Sequence, residues 1–504
     1  MKKYGFLFGA GAELAYNLPS GGQFALEIFR QDTAKPKESF RKMRDAVEPT
    51  TAYAGRWLPS EYKKKNIGSF GKNVFQNIIK STVEHRRGEI VDKVNDIDEE
   101  AVKVVKRMQS YGLLVDEAIE ALLHRKISNI HINQVVAYND ALQRGNKLFE
   151  STYFSALLMA YRDVKDEPQR GLLKRIVLAI MQLHLGALAE DLTHNINDNL
   201  FSKKDDNIDL LDDFGDLITL NYSSAGESGL DFLLENPDID TTTPYGILLR
   251  FAQLLIEDIY ASVLDYKSLI DSYWHYLYNP SSDWNKFCKI AIFLLTVHQY
   301  ITELGDKANK CNPDGYYNML RKCLIEEQYE ATAIATTNYN KIIEEILGSD
   351  YPVTYLNGSV AVWYDPYLNK IGDKRELDND EHHIIVPLLF TQSGTKPMTS
   401  ISMSVKYVDM YRKWKDSDAI VVVGFGFGPD DEHINGILRT LVNDDEKILK
   451  VVTLKEGRSK DAESREIANK IKVSDHKKIK VYLVDKDGKI DGKTWAKCIG
   501  EDHD

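Results

Sequence analysis

Cysteine pairs, proline, excess positive charge and long apolar runs are all missing or scarce in this sequence. Its four cysteines, Cys288, Cys311, Cys323 and Cys498, form no C-x-x-C pair, and their separations match neither a zinc ribbon nor a disulfide framework. Four unpaired thiols in 504 residues fit a reducing compartment, with the cysteines buried or incidental. Proline occurs 14 times, which favours long helices over a loop-rich all-β chain. Lys+Arg total 64 against 76 Asp+Glu, a net charge of −12, and an average field of that sign disfavours direct binding of nucleic acid or an anionic membrane. Lys63–Lys65 and His85-Arg86-Arg87 are the nearest approach to basic patches and read as solvated helix faces or loops.

No segment approaches the roughly 18 consecutive apolar residues of a membrane span. Lys2-Lys3, the apolar Tyr4–Phe8 and Ala10-Gly-Ala12 imitate a signal peptide, but over about a dozen residues rather than the roughly 15–30 that one needs. The stretch reads instead as a first strand entering a glycine turn, in a cytoplasmic protein.

With 43% hydrophobic and 28% charged residues the chain has the composition of a globular protein with a real core, and its length exceeds one ordinary domain. There is no internal repeat and no low-complexity linker, but three zones differ in pattern. The first runs from the Tyr4–Phe8 strand through Gly9-Ala-Gly11 and Pro19-Ser-Gly-Gly22 to a helix at Phe24–Phe29. The second, residues 31–328, is mainly helical: Ile97–Leu123, Leu172–Leu192 and Ile247–Leu269 place apolar residues close to a 3.6-residue period. The third alternates strands (Ala331–Ala335, Ile384–Leu389, Ala419–Val423, Lys450–Leu454, Ile479–Val484) with helices (Lys341–Leu347, Val405–Lys415, His433–Val442, Glu463–Ile471). Alternation of that kind predicts an α/β fold, a Rossmann-like doubly wound parallel sheet, whose first strand comes from the first zone. The expected organisation is a discontinuous nucleotide-binding domain of residues 1–30 and 329–504, interrupted by a large, mostly helical insertion, 31–328, for oligomer or partner contacts.

Four loops are chemical candidates. Gly9-Ala10-Gly11-Ala-Glu13 follows a strand and lets backbone approach a diphosphate, although Leu14 stands where G-x-G-x-x-G has its third glycine. Gly424-Phe425-Gly426-Phe-Gly428 follows a buried strand and leads into a helix bearing His433 and Asn435; this loop and Gly9–Gly11 are expected to face one another across a nucleotide. Thr336-Thr337-Asn338-Tyr339-Asn340 and Leu356-Asn357-Gly358-Ser359 supply polar groups after short strands. Asn338 can orient a ribose hydroxyl or a water by donating and accepting at once. For His433 and Asn338, a purely structural hydrogen bond is the competing role.

Taken in order, these loops, together with Leu18-Pro19-Ser-Gly21, Pro387, Gln392-Ser-Gly394 and Lys396-Pro397, resemble the SIR2-like (sirtuin-fold) family. The likeness is nearer to bacterial NAD-hydrolysing effectors of anti-phage defence than to the protein deacylases, and it covers only the outer segments. The resemblance implies a sirtuin-type sheet with NAD, as substrate, at its carboxyl edge. Gly9, Ala10 and Gly11 would cradle the diphosphate, with Glu13, Pro19, Thr337, Tyr339, Gly358 and Ser359 nearby. Asn338 would stand beside the nicotinamide ribose, and Gly424, Phe425 and Gly426 on the adenosine side. The implied reaction is hydrolysis of NAD to nicotinamide and ADP-ribose in abortive infection. The implied partners are other copies of the chain in a homo-oligomer, a defence-system protein or a phage trigger.

Two departures matter. The paired cysteine zinc ligands of the deacylases are absent, so no metal is expected. The family's Leu-His-Gly reads Leu356-Asn357-Gly358, and an amide cannot serve as general base, a role worth about 10²–10⁴ in rate. Asn357 marks a water-positioning site, an inactive form, or a site where His433, Glu13 or Asp365 takes over. The rival reading is a non-catalytic NAD- or ADP-ribose-binding regulatory or scaffold subunit.

Overall fold

The computed structural model describes residues 1–19, 21–71, 87–130, 147–195, 207–209, 219–221, 233–263, 273–378, 380–389, 401–455 and 458–501. Ser20, His85-Arg86, Gln392-Ser-Gly394 and Lys396-Pro397 lie outside the described residues. The chain forms two compact units: Met1–Ser20, Gln31–Phe70 and Lys267–Asp504 make one, Gly21–Arg30 and Gly71–Tyr266 the other. Gln31–Phe70 and the residues from Lys267 onward thus group with the sheet, and the helix Gly21–Arg30 groups with the helical unit. Its Leu26 and Phe29 join the helical core, and Arg30 binds Glu257 at 2.7 Å and the Leu233 carbonyl at 2.7 Å.

The helical unit packs Arg87–Asn95, Ile97–Ser110, Val115–Leu123, Thr152–Asp163, Glu167–Asn195 and Pro244–Val263 around one apolar core. The Ile97–Leu123 period is real but broken at Tyr111-Gly112, where Gly112 has φ +77° and no α-helix continues. Ser151 caps Thr152–Asp163 by accepting the Phe154 N–H at 3.0 Å.

The other unit is built on six parallel strands: β1 (Lys3–Phe8), β2 (Glu330–Thr336), β3 (Val353–Tyr355), β4 (Ala419–Val423), β5 (Ile448–Leu454) and β6 (Ile479–Val484). They lie in the order β6-β5-β4-β1-β2-β3, the doubly wound arrangement whose direction reverses between β1 and β4. Both faces are covered. Tyr4, Phe6 and Phe8 of β1 pack against helices α1 (Tyr316–Ile325), α2 (Ile342–Leu347) and α6 (Trp495–Glu501). Leu7 faces α3 (Ile401–Lys415), α4 (Glu432–Asn443) and α5 (Lys460–Ile471). Burial on both faces explains why β4, and β1 after Lys3, read as unbroken apolar runs.

Ile384–Leu389 is not a strand of this sheet. Only Val386–Pro387 is extended, paired antiparallel with Trp363–Asp365 in a separate three-stranded sheet that also holds Lys370–Gly372. Apolarity there reports burial rather than parallel pairing. The helix Trp284–Lys307 is long and apolar enough to cross a membrane, but 67% of its apolar window is buried within the protein.

Candidate functional site

The carboxyl ends of four adjacent strands, β4, β1, β2 and β3, carry Gly424, Gly9–Gly11, Thr337–Asn340 and Leu356–Ser359. Parallel pairing explains their convergence, because every strand's loop leaves the sheet on one edge. The ladders continue past the strands: Gly9 N–H donates to Val423 O and Gly11 N–H to Gly424 O, each at 2.9 Å. Thr337 N–H donates to Phe8 O and Leu356 N–H to Thr336 O, again at 2.9 Å.

The two glycine loops touch each other instead of facing across a ligand-sized gap. Gly424 has φ +63°, and a Cβ there would sit 2.3 Å from the Ala12 nitrogen. A Cβ on Gly9 would lie 2.5 Å from Gly424 O. The glycines therefore permit backbone to lie against backbone, which leaves no ligand-sized space between the two loops. Ala10 is exposed above the junction, Pro19 is half-buried, and Ala10–Tyr16 forms a 3-10 turn instead of the α-helix that opens a dinucleotide fingerprint.

Glu13 and Asn338 belong to one buried cluster. Glu13 accepts the Tyr317 hydroxyl at 3.0 Å and Asn340 Nδ2 at 2.6 Å. Burial pushes its pKa up to about 7, against the lowering effect of Asn340 and Tyr317. Burial and Glu13 hold the Tyr317 phenol well above its ordinary range, so it stays a donor. Asn338 Nδ2 donates to Gly9 O at 3.0 Å and to Tyr317 Oη at 3.1 Å. Both amide hydrogens are committed, so Asn338 keeps only its acceptor, Oδ1, for a ligand; donating and accepting at once is ruled out in this arrangement.

Asn357, 1% exposed, meets the half-buried His433: Nε2 lies 3.3 Å from Oδ1. His433 starts α4, which follows β4, whereas Asn357 follows β3, so the contact spans the ends of β1 and β2, roughly 14 Å of sheet edge. Burial pushes the His433 imidazole down to about 4, leaving it neutral at ordinary pH with a nitrogen lone pair available. Tyr407 of α3 donates its hydroxyl to Leu356 O at 2.5 Å and sets its ring edge-on to His433 at 5.4 Å. Gly358 has φ +86° and presses against the Leu388 carbonyl, where a Cβ would come within 2.0 Å. Ser359 is fully buried and accepts the Ala361 N–H at 3.2 Å, and Val360 N–H reaches Tyr339 O at 2.8 Å. These two residues shape the loop.

Two candidates have other employment, and a third faces solvent. Phe425, 8% exposed, packs edge-on against Phe427 in the core under α4, while Gly426 is exposed with open space where a Cβ would be. Asp365 is locked away, its Oδ2 2.7 Å from His383 Nδ1 and its Oδ1 accepting the Tyr367 and Leu368 N–H groups. His383 Nε2 meets Glu381 at 2.8 Å, and the Tyr53 ring lies 4.1 Å from the imidazole. Asp365 is therefore a structural anchor, not a stand-in base.

Tyr317 and Tyr407 are the site residues that sequence reasoning did not find. Tyr317 sits in a helix of the expected insertion, distant in sequence from every loop it serves, and only a tertiary contact reveals it. The chain matches no protein-family model, no curated protein and no solved structure.

Proposed function

We propose that this edge is the active site of an NAD glycohydrolase of SIR2-like type. The observation that carries the reading is the Asn357–His433 contact: an imidazole lies 3.3 Å from the side chain that stands where the resemblance calls for histidine. The strand order, the backbone turn at Gly9–Gly11 and the open acceptor of Asn338 support it.

In this reading the Gly9–Gly11 and Gly424 loops form a floor beneath the diphosphate, and Asn338 Oδ1 accepts a hydroxyl of the nicotinamide ribose. Water adds to the anomeric carbon as the bond to the pyridinium nitrogen breaks, releasing nicotinamide, ADP-ribose and a proton. Asn357 aligns the water and the neutral His433 takes its proton. A base with a pKa near 4 is weak, so alignment and charge stabilisation dominate at an oxocarbenium-like centre. In a cell the consequence is NAD depletion, the abortive-infection role that the resemblance implies. Arrangement into a homo-oligomer, or with a defence partner, belongs to the same proposal.

The test is nicotinamide and ADP-ribose release from NAD by the full chain. Asn338→Ala is expected to abolish it and His433→Ala to reduce it by about 10²–10⁴. NAD binding with no release at any pH would favour the second reading, a non-catalytic NAD or ADP-ribose sensor. That reading draws on the extent to which the site's polar atoms already bond one another. Asn357→His then asks whether a direct imidazole completes the site.

A further inference from the structure

The Glu13 cluster has a direction built into it. A carboxylate can only accept, so ionised Glu13 takes the Tyr317 hydroxyl on Oε1 at 3.0 Å and Asn340 Nδ2 on Oε2 at 2.6 Å. Having donated its proton to Glu13, the phenol oxygen accepts from Asn338 Nδ2 at 3.1 Å. One chain therefore runs Asn338 to Tyr317 to Glu13, with the other amide hydrogen on Gly9 O at 3.0 Å, and Asn338 also favours the Glu13 carboxylate directly. Asn340 is fixed in turn, because its Oδ1 accepts the Ile342 N–H at 3.0 Å. A proton on Glu13 would turn one of its oxygens into a donor facing Tyr317 or Asn340, which already donate. The titratable groups facing Glu13 are Tyr16 on its own turn, Tyr317 on α1 and Tyr355 on β3.

We propose that Glu13 is a positioning residue whose carboxylate, acting both directly and through Tyr317, holds the Asn338 side chain with Oδ1 presented to the ligand, and that protonation of Glu13 releases this hold. Its activity readout rests on the NAD-cleaving reading of the same site; its spectroscopic readout does not. Glu13 titrates at about 7, so the hold is half-engaged near neutrality. Between about pH 6 and pH 8 its ionised fraction changes about tenfold.

The experiment follows the Asn338 side-chain amide in full-length protein labelled with ¹⁵N-asparagine, the signals being assigned by their loss in Asn338→Ala. The wild-type resonances are expected to move with a single titration near neutrality, and in Glu13→Gln they should not move. Tyr317→Phe, which leaves Glu13 in place, should weaken the amide's response to pH without abolishing it. In parallel, kcat/KM for NAD should rise about tenfold from pH 6 to pH 8 in wild type and stay flat in Glu13→Gln. Asn340→Asp added to Glu13→Gln lets the new amide donate to residue 340 while its oxygen still accepts from Tyr317. This pair should regain the wild-type amide position at pH 8. An Asn338 amide that ignores pH in wild type, or that titrates identically in Glu13→Gln, overturns the proposal whether or not NAD is cleaved. Absence of NAD cleavage and binding in wild type, with the amide titration intact, overturns the function and leaves the positioning supported.

Discussion

The Glu13 and Asp365 clusters bury the same chemical group in one unit and stabilise it by opposite means. Asp365, 1% exposed, has an imidazole 2.7 Å away, and that imidazole has a second carboxylate, Glu381, on its far nitrogen. Burial alone would lower the His383 pKa, but hydrogen bonds to Asp365 and Glu381 raise it above the ordinary value and so favour the charged ring. Glu13 has amide and phenol donors in place of a cation, and burial drives its pKa to about 7. His433 completes the contrast: buried against an amide, it falls to about 4. A cluster with ionic partners favours the charged form of its buried group, whereas a cluster of neutral partners leaves burial to favour the uncharged one. The second kind lies at the carboxyl edge of the sheet; the first ties Trp363–Asp365 to the loop before Val386.

The largest effect that tests this contrast is Asp365→Ala. Losing one partner of a buried pair leaves His383 under-compensated, and a loss of about 3–5 kcal/mol is expected in urea unfolding. A loss below about 1 kcal/mol would place Asp365 with the ordinary surface pairs and erase the distinction. The wild-type His383 contribution is fully present below the ordinary imidazole pKa and disappears as pH rises through its raised value.

Next comes Glu13. Its folded-state pKa is raised, so the folded protein binds more protons than the unfolded chain and stability falls as pH rises from 4.5 towards 7. Between about pH 5 and pH 8 this amounts to about 2.5 kcal/mol, and Glu13→Gln should remove that slope. An unchanged slope in thermal melts would mean that Glu13 is ionised throughout. The smallest effect belongs to His433, whose depressed pKa has the opposite sign. Its contribution is present above 6.5 and is lost as pH falls towards 4. About 1 kcal/mol should go between pH 7 and pH 5.5, and His433→Asn should abolish that acid sensitivity. Equal pH slopes in the two variants would show that the two sites share one titration.

The sheet was largely legible in the sequence, because strands buried on both faces are unbroken apolar runs. Ala419–Val423 and Ile479–Val484 have the bounds their apolar runs predict. The same signal misled at Ile384–Leu389, where a run of equal apolarity serves a small antiparallel sheet. Val353–Tyr355, three residues behind a proline, is too short to register as a period. At the site, Asn338, Asn357 and His433 were readable as polar residues following apolar runs. Their partners were not: Tyr317 and Tyr407 lie on helices whose spacing reports only packing, and their hydroxyls find the loops through tertiary geometry. The glycines illustrate the limit. Sequence reveals that a side chain is missing at Gly9 and Gly424, but not whether a ligand or another backbone uses the space.

The position of β1 has a consequence for how the protein is made. This strand, with Tyr4, Phe6 and Phe8 on one side, pairs on one edge with Glu330–Thr336 and on the other with Ala419–Val423. At about 5–20 residues per second, a ribosome that has completed β1 needs roughly 20–80 s more to finish its second neighbour. Until Glu330–Thr336 is made, late in that interval, an aromatic strand waits with both edges unpaired, while the helical core closes from segments made sooner. Biosynthesis thus imposes a long non-local closure on the strand at the centre of the sheet. Chaperone dependence of the nascent chain should trace to Lys3–Phe8.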